Sequence, residues 1–169
     1  MSASDDSDKT NRLVLGTVTG IAALWTAGVV VAPWLTAHGS VLGRWLRLLY
    51  RPGCHQLVNR CLDLGFGPLA VCARCAGLYV GGTIALVWTL VRNLPSRPHP
   101  LWLAVVGAPT LIDFIAGQIG LPSLGNWTRF ALACPLGILA GLYLGDALIE
   151  IVRLNTGQND RHSPEDSVG

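Results

Sequence analysis

The chain has 169 residues, of which 13% are charged and 51% hydrophobic, and its mean hydropathy is +0.47. Soluble domains carry about a quarter charged residues, and a core of this size cannot hide so much apolar surface, so a soluble globular fold is excluded and the lipid bilayer is the expected solvent. The net charge of +2, with no basic cluster interleaved with aromatics, argues against a nucleic-acid partner.

Residues 1–12 are polar, Asp-rich and aperiodic, and read as a disordered tail. Residues 13–37 contain no charge and are long enough to cross a hydrocarbon core of ~30 Å. Their acidic front and length argue for a retained helix over a cleaved signal peptide. Within 40–52, Arg44, Arg47 and Arg51 share one helical face and Val41, Leu42, Trp45, Leu46, Leu48 and Leu49 fill the rest. That pattern fits a short helix lying in the headgroup layer, or an amphipathic helix packed on protein.

Three more apolar segments follow at 73–94, 101–121 and 130–152, joined by the short links RNLPSRPHP and PSLGNWTR. Residues 155–169 read as a second disordered tail. The expected fold is all-α: an integral membrane bundle of four transmembrane helices plus a short interfacial helix, one domain over 13–154. Gly77 and Gly81, and Gly137, Gly141 and Gly145, have the G-x-x-x-G spacing that lets helix backbones approach in lipid. The last three also offer a face for a homo-oligomer.

Four crossings put both tails and the 92–100 link on one side, and residues 38–72 and 121–129 on the other. Cys54, His55, Gln56, Cys61, Cys72 and Cys75 therefore share a membrane face with Asn126 and Arg129. Gln118 lies at the same end of the third span, and Asp113 lies about 7.5 Å deeper at the helical rise. A carboxylate within a span is costly and should be paired, with Arg74 and Arg129 as the available cations. The pair either fixes helix register or handles a substrate or proton. Pro109, one turn before Asp113, frees a backbone carbonyl that protein or water must satisfy.

The ordered set CHQ (54–56), CARCAGLYVGG (72–82), Pro109 with Asp113, Asn126 with Arg129, and a Gly-rich last helix resembles domain-of-unknown-function family 2085, over about residues 50–145. The resemblance implies a small multi-span membrane protein with a Cys/His motif and no assigned activity. Family members often carry Arg-Ser after CHQ. Here Cys61 follows Arg60, which sets Cys61 apart from any site the family shares.

Three chemistries fit the thiols. Cys54, His55, Cys72 and Cys75 form a Cys₃His set suited to tetrahedral zinc, and exchanging His55 for Cys61 gives a Cys₄ set for zinc or iron. Alternatively, Cys72 and Cys75 exchange a disulfide with Cys54 and Cys61 as shuttle pair, and Arg129 or His55 polarises a quinone. That arrangement is similar in architecture to the disulfide-forming quinone reductases and vitamin K epoxide reductases. The third reading is a non-catalytic membrane subunit or transporter component, in which the cysteines simply pack. The motifs of serine hydrolases, P-loop proteins, zincins and Rossmann enzymes are absent, so the sequence does not decide whether this is an enzyme.

Each side carries six Lys or Arg: Lys9, Arg12, Arg92, Arg97, Arg153 and Arg161 against Arg44, Arg47, Arg51, Arg60, Arg74 and Arg129. Discounting Arg74 and Arg129 as internal leaves the tail side ahead. The positive-inside rule then expects a multi-pass cell-membrane protein with both termini cytoplasmic.

Overall fold

The computed structural model describes residues 3–92, 98–119 and 124–159. Five α-helices and one small hairpin follow in order: α1 (Ala3–Ala37), α2 (Val41–Tyr50), a 3₁₀ turn (Val58–Arg60), β1 (Cys61–Asp63), β2 (Pro68–Cys72), α3 (Ala73–Arg92), α4 (Leu101–Gln118) and α5 (Asn126–Asn159). Stretches of α1, α3, α4 and α5 are long and apolar enough to cross a membrane: Lys9–Ala37, Ala73–Arg92, Leu101–Gln118 and Asn126–Val152. The all-α bundle with a short extra helix is what the composition required.

Several boundaries differ from expectation. Helix α1 begins at Ala3, so most of the stretch read as a disordered tail is helical. Helix α5 begins at Asn126 and runs to Asn159, taking in the end of the link before it and the first residues of the expected tail. Residues 160–169 lie outside the described residues.

The largest interface joins α3 to α5, and glycine makes it possible. A Cβ on Gly141 would lie 2.6 Å from the Gly82 carbonyl oxygen, and one on Gly145 would lie 3.0 Å from Thr89 Cγ2. Gly81 faces the Cys134 carbonyl and Gly137 that of Leu78 in the same way. Backbone lies on backbone, so a side chain cannot be admitted without separating the helices. The Gly137/Gly141/Gly145 face therefore packs against α3 of the same chain.

Helix α2 packs along α1, where Gly43 meets the Ala32 carbonyl and Thr36. Its outer face leaves Leu42, Trp45, Leu48 and Leu49 exposed, Trp45 at 66%. Arg44 and Arg51 are exposed, whereas Arg47 turns inward to donate to the Pro68 carbonyl. Tyr50 ends the helix buried, its hydroxyl donating to the Trp25 carbonyl at 2.6 Å. So α2 both packs on protein and presents an apolar, Trp-bearing face outward.

The hairpin lies outside the all-α expectation. Asp63 Oδ1 accepts from the Gly65 and Gly67 amides at 2.8 and 3.2 Å, and both glycines sit at positive φ (93° and 109°), which closes the turn. Cys61 then pairs with Cys72 across two antiparallel strands. Leu62 of β1 and Leu69, Ala70 and Val71 of β2 are buried and join the hydrophobic core.

Three hydrogen bonds fix which loops share an end of the bundle. Asn126 Nδ2, opening α5, donates to the carbonyls of Asn59 and Cys61 at 3.1 and 3.0 Å. At the other end the Tyr143 hydroxyl donates to the Pro98 carbonyl at 2.6 Å.

Candidate functional site

Cys72 closes β2 and Cys75 lies in the first turn of α3, so strand and helix together aim two thiols into one spot. Cys54 arrives from the segment after α2, anchored where its amide donates to the Tyr50 carbonyl at 3.1 Å. The three Sγ atoms lie within 4.8 Å of one another. Cys54 is 5% exposed, and its sulfur accepts the backbone N–H of Cys72 at 3.2 Å. Two residues on, Gln56 takes a left-handed backbone conformation (φ 51°), and its side-chain amide donates to the Arg47 carbonyl at 2.6 Å. That turn holds the CHQ segment over the start of α3.

The Cys72 thiol is drawn down to about 5. The Cys75 thiol hydrogen bond is the main cause, helped by the amides of Cys75 and Arg74 and the Cys54 thiol, against the opposing effect of burial. The position of Cys72 just before the N-terminus of α3 adds to this, because a helix start favours a thiolate.

Neither expected fourth ligand joins them. His55 is exposed and is not among the side chains close enough to share an ion with the three thiols. Adjacent side chains diverge, so Cys54 is buried while the exposed His55 stays at the cavity wall, outside the group of three sulfurs. Cys61 is buried across the hairpin from Cys72, and its thiol donates to the Leu57 carbonyl at 3.3 Å. Burial pushes that thiol up to about 11. The Cys₄ alternative is not assembled either.

Behind the thiols, Asp113 is the buried residue of α4 and is 4% exposed. Arg74 of α3 pairs with its Oδ2, Arg129 Nε of α5 reaches the same oxygen at 3.1 Å, and the Leu124 amide donates to Oδ1 at 3.0 Å. Arg129 also donates to Asn126 Oδ1 at 3.4 Å, and Asn126 holds the hairpin. Both cations expected for Asp113 are there, and the chain of contacts ties α3, α4, α5 and the hairpin together.

A cavity of about 400 Å³ opens beside the thiols. Of the residues singled out in the sequence, Cys54, His55, Gln56, Cys72, Arg74, Cys75, Gln118 and Arg129 line it. Asp113, Asn126 and Cys61 do not; they support it from behind. Gly53, Leu57, Arg60 and Phe114 complete the wall, and no motif in the sequence marks them. Arg60 was legible only as one of many arginines on the cysteine side, and Phe114 as one apolar residue among many.

A family model described as a predicted membrane protein family, DUF2085, matches residues 54–143, just over half of the chain. The chain belongs to this family. The match begins at Cys54, so it takes in the three thiols, the hairpin, α3, α4 and half of α5, and leaves α1 and α2 outside. An uncharacterized protein of Methanocaldococcus jannaschii is 25% identical over 133 residues, covering 73% of this chain and 85% of its own length. Another uncharacterized protein, from Methanothermobacter thermautotrophicus, is 27% identical over 90 residues, 53% of this chain and 81% of its own. No solved structure matches. In this DUF2085 member, the matched region holds every residue of the thiol cluster and of the Asp113 network.

Proposed function

We propose that this multi-span membrane protein holds a thiophilic metal ion, of which zinc is the natural choice, through Cys54, Cys72 and Cys75 at one membrane face. The observation that carries the reading is the convergence of three sulfurs within 4.8 Å of one another. Zinc–thiolate bonds of about 2.3 Å in tetrahedral geometry put sulfurs about 3.8 Å apart, which needs only a small contraction. The Cys72 amide on the Cys54 sulfur and the N-terminus of α3 favour thiolates. Three protein ligands beside a cavity leave a fourth position for a water or a bound molecule, as in open rather than closed zinc sites.

A disulfide exchanger needs an isolated pair and a separate shuttle pair. Here the third thiol joins the first two, while Cys61 stands apart as a donor to the Leu57 carbonyl. The excess of Lys and Arg on the tail side further supports a cell-membrane protein with cytoplasmic termini and the metal site on the opposite face. Metal analysis of protein purified under reducing conditions tests the reading: stoichiometric zinc is expected and metal-free protein would overturn it, whereas a Cys72–Cys75 disulfide trapped by alkylation in cells without added reductant would support exchange instead.

A further inference from the structure

The charged side chains lining the cavity are Arg60, Arg74 and Arg129, and no carboxylate lines it. The balancing group is Asp113, set behind the wall and already engaged by both Arg74 and Arg129. Arg60 makes no ion pair among the described residues. Its guanidinium reaches across the opening to α4, where Nη2 lies 4.0 Å from the position a Cβ would take on Gly117. Gln118, on the next residue, lines the same wall. Two cations share one anion and a third stands alone, so the cavity carries a net positive charge. Three thiolates on a divalent ion contribute only one negative charge in return.

From this geometry we infer that the cavity is an oxyanion site. It takes a carboxylate or phosphate group, bound by Arg60 and Arg74 with Gln118 as a neutral donor, on the open side of the thiol cluster. Arg129, buried in the same wall, adds to the positive field. Leu57 and Phe114 supply apolar wall for the rest of such a molecule. Guanidinium groups hold both oxyanions by charge-assisted hydrogen bonds, and the partly apolar cavity makes those bonds stronger than at an open surface. The same chemistry is offered by a soluble organic anion and by an anionic lipid headgroup. The inference rests on the metal reading only for the position of the fourth ligand.

The test is calorimetric titration of the full-length protein with sodium phosphate and with sodium acetate, in maltoside micelles that contain no phosphate. Saturable binding of at least one anion is expected, weakened about tenfold or more by Arg60→Gln. Zinc content and melting temperature should be unchanged in that variant, which verifies its fold. Adding phosphatidylglycerol separates the two sources: loss of phosphate binding assigns the site to lipid headgroups, and unchanged binding assigns it to soluble anions. Absence of saturable binding of both anions in micelles, or wild-type affinity in Arg60→Gln, overturns the inference. Anion binding does not require metal for its readout. A chain that binds phosphate through Arg60 but holds no zinc would overturn the metal reading alone, and a zinc-loaded chain indifferent to both anions would overturn this one alone.

Discussion

Arg129 Nε and Asp113 Oδ2 meet at 3.1 Å between α5 and α4, both residues about 95% buried. Asp113 is also the one buried residue assigned to α4, whose other described side chains face outward or are half-covered. Helix α4 is therefore held to the bundle largely by a charge in a helix suited to lipid. Such a contact is costly to form and more costly to break, because its removal strands two guanidiniums.

Asp113→Asn should consequently destabilise the protein by about 3–5 kcal/mol, the usual consequence of leaving a buried charge unpaired. A thermal melt in detergent should show the loss, and proteolysis should strike the α4 connections first. An unchanged melting temperature would mean that α4 is held by apolar packing alone.

Gly141→Leu places a side chain where the Gly82 carbonyl already lies, so α3 and α5 must part. Overpacking costs about 1–3 kcal/mol in adaptable cores and more where backbone is the obstacle. A lower melting temperature is expected. A variant of wild-type stability but altered oligomeric state would return this face to the intermolecular role its spacing suggested.

The cysteines should separate by substitution. Serine at Cys54, Cys72 or Cys75 should abolish metal retention, whereas Cys61→Ser and His55→Ala should keep it, since neither side chain reaches the cluster. Metal analysis of the five purified variants reads this directly. Loss of metal from His55→Ala would restore the Cys₃His set.

Cys61 should also resist alkylation. With its thiol pushed up to about 11, the thiolate population rises only as pH approaches that value. At pH 8 roughly a thousandth is ionised, against about a quarter for a free cysteine. Maleimide labelling followed by mass spectrometry from pH 7 to 10 should find Cys61 the slow site, gaining about tenfold per pH unit. A flat profile would place it in a different environment.

Much of this architecture is legible in the sequence because lipid simplifies the rules. An uncharged run such as 13–37 can do little but span, and G-x-x-x-G spacing on two segments implies close helices, though not which partner each would choose. Asp113 with Arg74 and Arg129 was predictable because a carboxylate in a span needs a cation. The hairpin was missed because three- and five-residue strands have too little periodicity to register, and their turn depends on Asp63 capping two glycine amides. The position of the His55 side chain is hidden from the sequence for a related reason. Spacing places His55 beside Cys54, but the backbone turn at Gln56 and the inward seat of Cys54 decide where the imidazole faces. The start of α1 was misjudged because polar composition alone says little about whether a membrane helix continues beyond its apolar part.

Whether Cys54, Cys72 and Cys75 share a metal ion is tested most directly by zinc K-edge X-ray absorption on the purified protein. Three sulfur neighbours at about 2.3 Å and one lighter neighbour are predicted. Protein that carries no zinc, or zinc without a sulfur shell, would contradict it.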